Sequence, residues 1–135
     1  GDILLSMQHY VSSPITVTVE EGFITKVEGG LDAHLFRQWL EKWNDPRAYE
    51  ISHVGWGCEH RADWNRLASK IPGGVGDAES FYGDLQIAFG RDTSPLLRGT
   101  NDVPAHIDFD CLNVNIDLDG KEIIRESQFV IEELK

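Results

Sequence analysis

The run Pro104-Ala105-His106-Ile107-Asp108-Phe109-Asp110 alternates polar and apolar residues without a break, and a period of two reads as a β-strand. A strand sends successive side chains to opposite faces. His106, Asp108 and Asp110 therefore share one face, and Ile107 and Phe109 share the other. Residues two apart on a strand lie roughly 6–7 Å apart at Cα, which lets the imidazole of His106 and the carboxylate of Asp108 converge on one metal ion. Asp110, next along that face, is placed to orient a ligand from behind. The competing reading is a polar strand edge turned to solvent. Two donors do not make a site, so a third must come from elsewhere in the chain.

Other segments follow the same rule. Residues 2–6 read as a short strand. Ile15–Val19 and Phe23–Val27 flank Glu20-Glu21-Gly22, a β-hairpin with Gly22 at its turn. Asp32 can cap a helix that carries Phe36, Trp39, Leu40 and Trp43 on one face and stops at Asn44-Asp45-Pro46. Ile51–Gly57 reads as a strand ending at glycines, with Ile51, His53 and Gly55 on one face and Ser52, Val54 and Trp56 on the other. Residues 61–69 hold Trp64, Leu67 and Ala68 at helical spacing. Gly73–Gly76 reads as a loop; it has no Lys-Ser/Thr of a phosphate loop. A strand spans about Asp84–Phe89, and a polar loop over 91–103 delivers the chain to His106; loops of that length are often functional. Leu112–Leu118 and Lys121–Arg125 alternate around Asp119-Gly120, a second hairpin. Gln128–Lys135 is a last strand or a capping tail. The fold class is α+β: a mainly antiparallel sheet or partly closed barrel with one long and one short helix, residues 1–135 forming a single domain. Phe36, Trp39, Trp43, Trp64 and Phe109 are the candidate core.

Composition narrows the partners. A net charge of −11 argues against nucleic acid and against an anionic membrane surface. No apolar run approaches the ~20 residues of a membrane span, and no secretory signal is legible. The two cysteines, Cys58 and Cys111, form no paired motif and read as reduced thiols of a cytoplasmic protein. The start, Gly1-Asp2 running straight into an apolar strand, suggests the C-terminal piece of a longer protein.

The candidates for the third ligand are His9, His34, His53 and His60. His34 falls near a helix start and reads as surface; His60 neighbours Cys58, but no paired cysteine motif supports a site there. His53 is the best placed: it is mid-strand, and Gly55 and Gly57 leave room beside the backbone. Two histidines and one aspartate are the ligand type of mononuclear non-haem Fe(II) oxygenases, which leave open coordination positions.

Three blocks then carry a resemblance over most of the chain: Ile51-Ser52-His53-Val54-Gly55-Trp56-Gly57, the stretch from Glu79 to Gly90, and Pro104-Ala105-His106-Ile107-Asp108. In order and spacing they resemble the C-terminal half of the thermophilic-type metalloaminopeptidases (the aminopeptidase T/S family), and more closely the related 2,5-dihydroxypyridine 5,6-dioxygenases. The opening Gly1–Ser6 and the hairpin Leu118–Ile123 fit as well. The aminopeptidases carry a glutamate at the position of His53, a histidine at that of Gln86, and a tyrosine near Thr93, all serving two metals. The departures here favour the dioxygenases. That resemblance implies one Fe(II) held by His53, His106 and Asp108, cleavage of a small aromatic N-heterocycle with O2, and acid/base groups in an N-terminal part, so that residues 1–135 alone would be inactive. A homo-oligomer is left open. The alternatives are a metalloaminopeptidase-like hydrolase and a metal-free domain used for dimer contacts.

Overall fold

The structure is a computed structural model that describes residues 2–4, 9–68 and 74–134. It comprises two compact units. Of the described residues, one unit is formed by 2–4, 9–54 and 87–108, the other by 55–68, 74–86 and 109–134. Three strands, β5 (Ile51–Trp56), β6 (Leu85–Asp92) and β7 (Asn101–Cys111), form one sheet in the order β5-β6-β7.

In the first unit β1 (Asp2–Leu4) pairs with β2 (His9–Tyr10), and Leu5 and Ser6, expected to prolong β1, lie outside the described residues. The hairpin of β3 (Ile15–Glu20) and β4 (Phe23–Gly29) forms in the expected place. Its turn residues Glu21 and Gly22 both have positive φ, 50° and 83°, the pair of conformations that matches the strand twist. Helix α1 (Leu31–Glu41) buries Ala33, Phe36 and Leu40, and Phe36 packs against Trp39 and Phe89 at ring centroid distances of 6.3 and 6.1 Å. Removing a side chain of that size from water is worth about 1.5–3 kcal/mol. Trp39 and Trp43 are only half-buried; they lie against the small core of Ala48, Val103 and Ala105, with the Lys42 ammonium over both indoles.

Asp32 does not cap α1. Gly30 holds that position, and Asp32 sits inside the first turn. Its buried carboxylate instead accepts four hydrogen bonds, from the backbone N–H and the hydroxyl of both Ser12 and Ser13, at 2.6–3.0 Å. Those bonds, the Ser13 N–H first, hold its pKa down at about 2. The helix ends two residues earlier than expected, and Asp45 caps a 3-10 turn over Pro46–Tyr49.

In the second unit β8 (Ile116–Leu118), β9 (Lys121–Arg125) and β10 (Gln128–Phe129) form a sheet in the order β10-β9-β8. Its first turn uses Asp119-Gly120 as expected; its second uses Glu126-Ser127, both left-handed without a glycine, so the sequence gives no turn signal there. Ile123, Ile124 and Phe129 are its core, with Trp56 and Tyr82 packed on them. The alternating run expected from Leu112 begins four residues late, at Ile116, because Asn113 turns the chain at φ 59°. The chain ends in a 3-10 turn at Glu132–Leu134. Helix α2 covers Asn65–Ala68. Helix α3 covers Gly74–Ser80, where a glycine loop was expected at Gly73–Gly76; Gly73 lies outside the described residues. Trp64 is half-buried against Phe81. The sheets are separate and mostly antiparallel, and among the described residues none closes into a barrel. No helix among the described residues is long and apolar enough to cross a membrane.

Candidate metal centre

Strand β7 positions two of the three donors as its alternation dictates. His106 is exposed and Asp108 buried on the same face, with Ile107 and Phe109 buried on the other. The strand begins at Asn101, earlier than expected, so the loop before it shrinks to residues 93–100. His53 comes from β5. The two histidines are therefore not on adjacent strands: β6 lies between theirs. They meet over it because an imidazole reaches well beyond the backbone, and their ring centroids are 5.9 Å apart with planes 29° from parallel.

The carboxylate of Asp108 joins them. His106 Nε2 lies 3.2 Å from Asp108 Oδ2, and His53 Nε2 lies 3.6 Å from Asp108 Oδ1. One donor atom from each residue falls within 4.8 Å of the other two, and among the described residues no second group of this kind occurs. An ion bonded at about 2.1 Å to donors at right angles would set them about 3.0 Å apart, close to the two separations just given. The donor set fits a divalent first-row metal: two neutral imidazole nitrogens and a carboxylate, all gathered on one side.

Each imidazole is held from behind. His106 Nδ1 lies 2.9 Å from the carbonyl oxygen of Arg91 on β6. A carbonyl only accepts, so Nδ1 carries a proton, and Nε2, beside Asp108, is the ring nitrogen left to bind an ion. His53 Nδ1 lies 3.2 Å from Ser52 Oγ, whose hydroxyl donates to the same Arg91 carbonyl at 2.8 Å. Gly90, just before Arg91, has φ +93°, and a Cβ there would stand 2.3 Å from the Ala105 carbonyl oxygen. The side-chain amide of buried Asn101 donates to the Gly90 carbonyl at 3.0 Å. The carbonyl that orients both rings thus follows directly on a tightly pinned residue. Beside the histidines is a cavity of about 290 Å³, lined among others by Ser52, Arg91, Thr93 and Leu97. A larger cavity of about 650 Å³, lined by His60, Phe81, Tyr82 and Phe129, has no metal-ligating cluster among the described residues.

The other candidates fall elsewhere. His34 is exposed on α1. His60 stacks on Tyr82 at 4.0 Å rather than joining Cys58 in a site. The side chain of His9 lies outside the described residues. Cys58 and Cys111 are both free thiols, and burial raises the pKa of Cys111. Asp110 is wholly buried in the second unit, where its charge acts on Asp84. The Asp84 pKa is pushed up to about 8, first by burial and then by that charge. Ser52 and the Arg91 carbonyl were not legible beforehand. Alternation assigns Ser52 to the opposite face from His53, and a backbone acceptor leaves no mark in a sequence; only Gly90, inside a strand, hints at a special backbone there.

Residues 1–131 match the family model described as NicX: 2,5-dihydroxypyridine 5,6-dioxygenase. The chain is 36% identical to the 2,5-dihydroxypyridine 5,6-dioxygenase of Pseudomonas putida KT2440, over 98% of this chain and 38% of that protein. It is similar to the solved structure of the 2,5-dihydroxypyridine dioxygenase from the same strain, with a TM-score of 0.86 and 34% identity, covering 99% of this chain and 39% of that one. The chain thus spans under two fifths of the length of these relatives.

Proposed function

The chain belongs to the NicX family of 2,5-dihydroxypyridine 5,6-dioxygenases, and from that premise we propose that it carries the metal-binding part of a ring-cleaving dioxygenase. The observation that carries the reading is the convergence of His53, His106 and Asp108, with Nε2–carboxylate separations of 3.2 and 3.6 Å. In this reading the three residues hold one Fe(II). When bound, the ion supplies open positions for a dihydroxylated ring and O2 and polarises both. In the reaction the C5–C6 bond of the ring breaks, and the two oxygen atoms of O2 end on the two carbons it joined.

The protein's own residues prepare that step. The Nδ1 protons of both imidazoles are committed to the Arg91 carbonyl or to Ser52, so both Nε2 lone pairs are available to the ion. Asp108 contributes one negative charge and is mostly shielded from water. The cavity beside His53 and His106 gives a planar heterocycle a place to lie, with Leu97 as an apolar wall and the Arg91 and Thr93 side chains as polar ones. The substrate is a small electron-rich N-heterocycle of the 2,5-dihydroxypyridine type. Residues 1–135 act as the C-terminal part of a longer, cytoplasmic enzyme and have no turnover by themselves.

The test is oxygen uptake by the full-length protein, loaded with Fe(II) anaerobically and then given 2,5-dihydroxypyridine and O2. One O2 should be consumed per ring opened, and none without iron. A parallel leucine-anilide assay with zinc, cobalt or manganese should stay at background. Metal-dependent peptide hydrolysis without O2 uptake would overturn the proposal.

A further inference from the structure

We infer that Ser52 is a positioning residue of the metal centre: its hydroxyl ties His53 to the same backbone carbonyl that holds His106. The inference rests on the reading of His53, His106 and Asp108 as metal ligands.

The hydrogen-bond directions follow from the atoms. Ser52 Oγ lies 2.8 Å from the Arg91 carbonyl oxygen and 3.2 Å from His53 Nδ1. A hydroxyl has one proton, and the carbonyl can only accept it. The Ser52 oxygen therefore turns a lone pair to His53, whose Nδ1 must be the donor. That places a proton on His53 Nδ1, so an ion held by His53 must be bound through Nε2, the atom 3.6 Å from Asp108. His106 reaches the same carbonyl directly through Nδ1 at 2.9 Å. One acceptor thus sets the tautomer and the tilt of both rings, for His106 by contact and for His53 through Ser52. The arrangement suits the geometry of the sheet. Arg91 is on the central strand, between the strands of the two histidines, and its carbonyl has two lone pairs, one for each side. Without the Ser52 hydroxyl, His53 loses the partner that selects the Nδ1–H form, and its ring is free to present a protonated Nε2 to the ion.

The full-length protein tests this with Ser52→Ala and Ser52→Thr. Anaerobic Fe(II) affinity is read by competition with a chromophoric chelator, and the His53 tautomer by 15N NMR of the metal-free protein. Ser52→Ala should bind Fe(II) roughly 10–100-fold more weakly, the usual cost of losing an outer hydrogen-bond partner of a ligand. His53 should shift from the Nδ1–H form toward Nε2–H. Ser52→Thr restores the hydroxyl and should return both readouts to within about threefold of the parent. Iron affinity and tautomer unchanged in Ser52→Ala would overturn the inference, and so would a loss that threonine fails to rescue, since that would be a packing effect. If the parent bound no Fe(II) while the tautomer still followed the hydroxyl, the metal reading would fall and the positioning of His53 by Ser52 would stand.

Discussion

His53 and His106 face each other over a strand that belongs to neither, 5.9 Å between ring centroids, with the carboxylate of Asp108 reaching the Nε2 of each. The relationship requires β6 to run between their strands and to offer an acceptor to both sides. Sheet geometry decides whether this chain has a metal centre at all.

Removing a donor should therefore remove the metal. His106→Ala or Asp108→Ala should lower Fe(II) affinity by more than the roughly 10–100-fold expected for an outer partner. Metal analysis of anaerobically purified full-length protein should find less than a tenth of the parent's iron. Unchanged circular dichroism would confine the effect to the site, since His106 is exposed.

The bend before Arg91 should be costly to change. Gly22 and Gly90 both have positive φ, +83° and +93°, but a Cβ on Gly22 meets nothing within 4 Å, whereas one on Gly90 would stand 2.3 Å from the Ala105 carbonyl oxygen. Gly22→Ala should cost roughly 1–2 kcal/mol for the left-handed conformation alone. Gly90→Ala must also displace backbone, and about 3 kcal/mol or more is expected. Urea denaturation of the two variants should separate them, and equal losses would contradict the contact.

Asp84 should make the protein less stable as pH rises. Its pKa in the folded chain, about 8, lies far above the ordinary carboxylate value. Below about pH 4 the group is protonated in both folded and unfolded chains. As pH rises from there toward 8, only the unfolded chain releases the proton, so stability falls through that window. Asp84→Asn keeps an acceptor for the Cys111 N–H, which donates to Asp84 at 2.9 Å, and cannot ionise. Denaturation midpoints between pH 5 and 8 should fall less in Asp84→Asn than in the parent, a difference of at least about 1 kcal/mol, since each pKa unit is worth about 1.4.

Asp32 should act in the opposite sense. Its pKa is depressed to about 2, so its contribution is present above the ordinary carboxylate range and is lost as pH falls through 2. All four bonds from Ser12 and Ser13 end on one oxygen, Oδ2; an asparagine can place its amide oxygen there, but a neutral acceptor makes weaker bonds than a charged one. Asp32→Asn should be less stable than the parent at pH 6 and should approach it near pH 2. Parallel acid-unfolding curves would show that the carboxylate does not stabilise this loop.

The candidate ligands were legible because they depend on local rules. Alternation alone puts His106 and Asp108 on one strand face, and a period of two survives whatever packs against it. His53 needed the resemblance of three short blocks as well as its own strand. Asp32 was misread because a carboxylate near a helix start satisfies the capping rule, and the distant pair Ser12 and Ser13 won it instead. The loop at Gly74–Gly76 was misread because glycine weakens a helix without forbidding one.

The sequence by itself determined the β character of the chain, both hairpin turns carried by glycine, the amphipathic face of α1, and the residue types able to bind a metal; each rests on interactions within a few residues. Only the tertiary structure decided that β6 lies between β5 and β7, that the Arg91 carbonyl serves both imidazoles, and that Ser52 belongs with His53. Those depend on strand order and on a backbone oxygen. Strand order follows from the packing of segments distant in the chain, and every residue carries the same carbonyl whatever its side chain, so neither is marked by the type of any single residue.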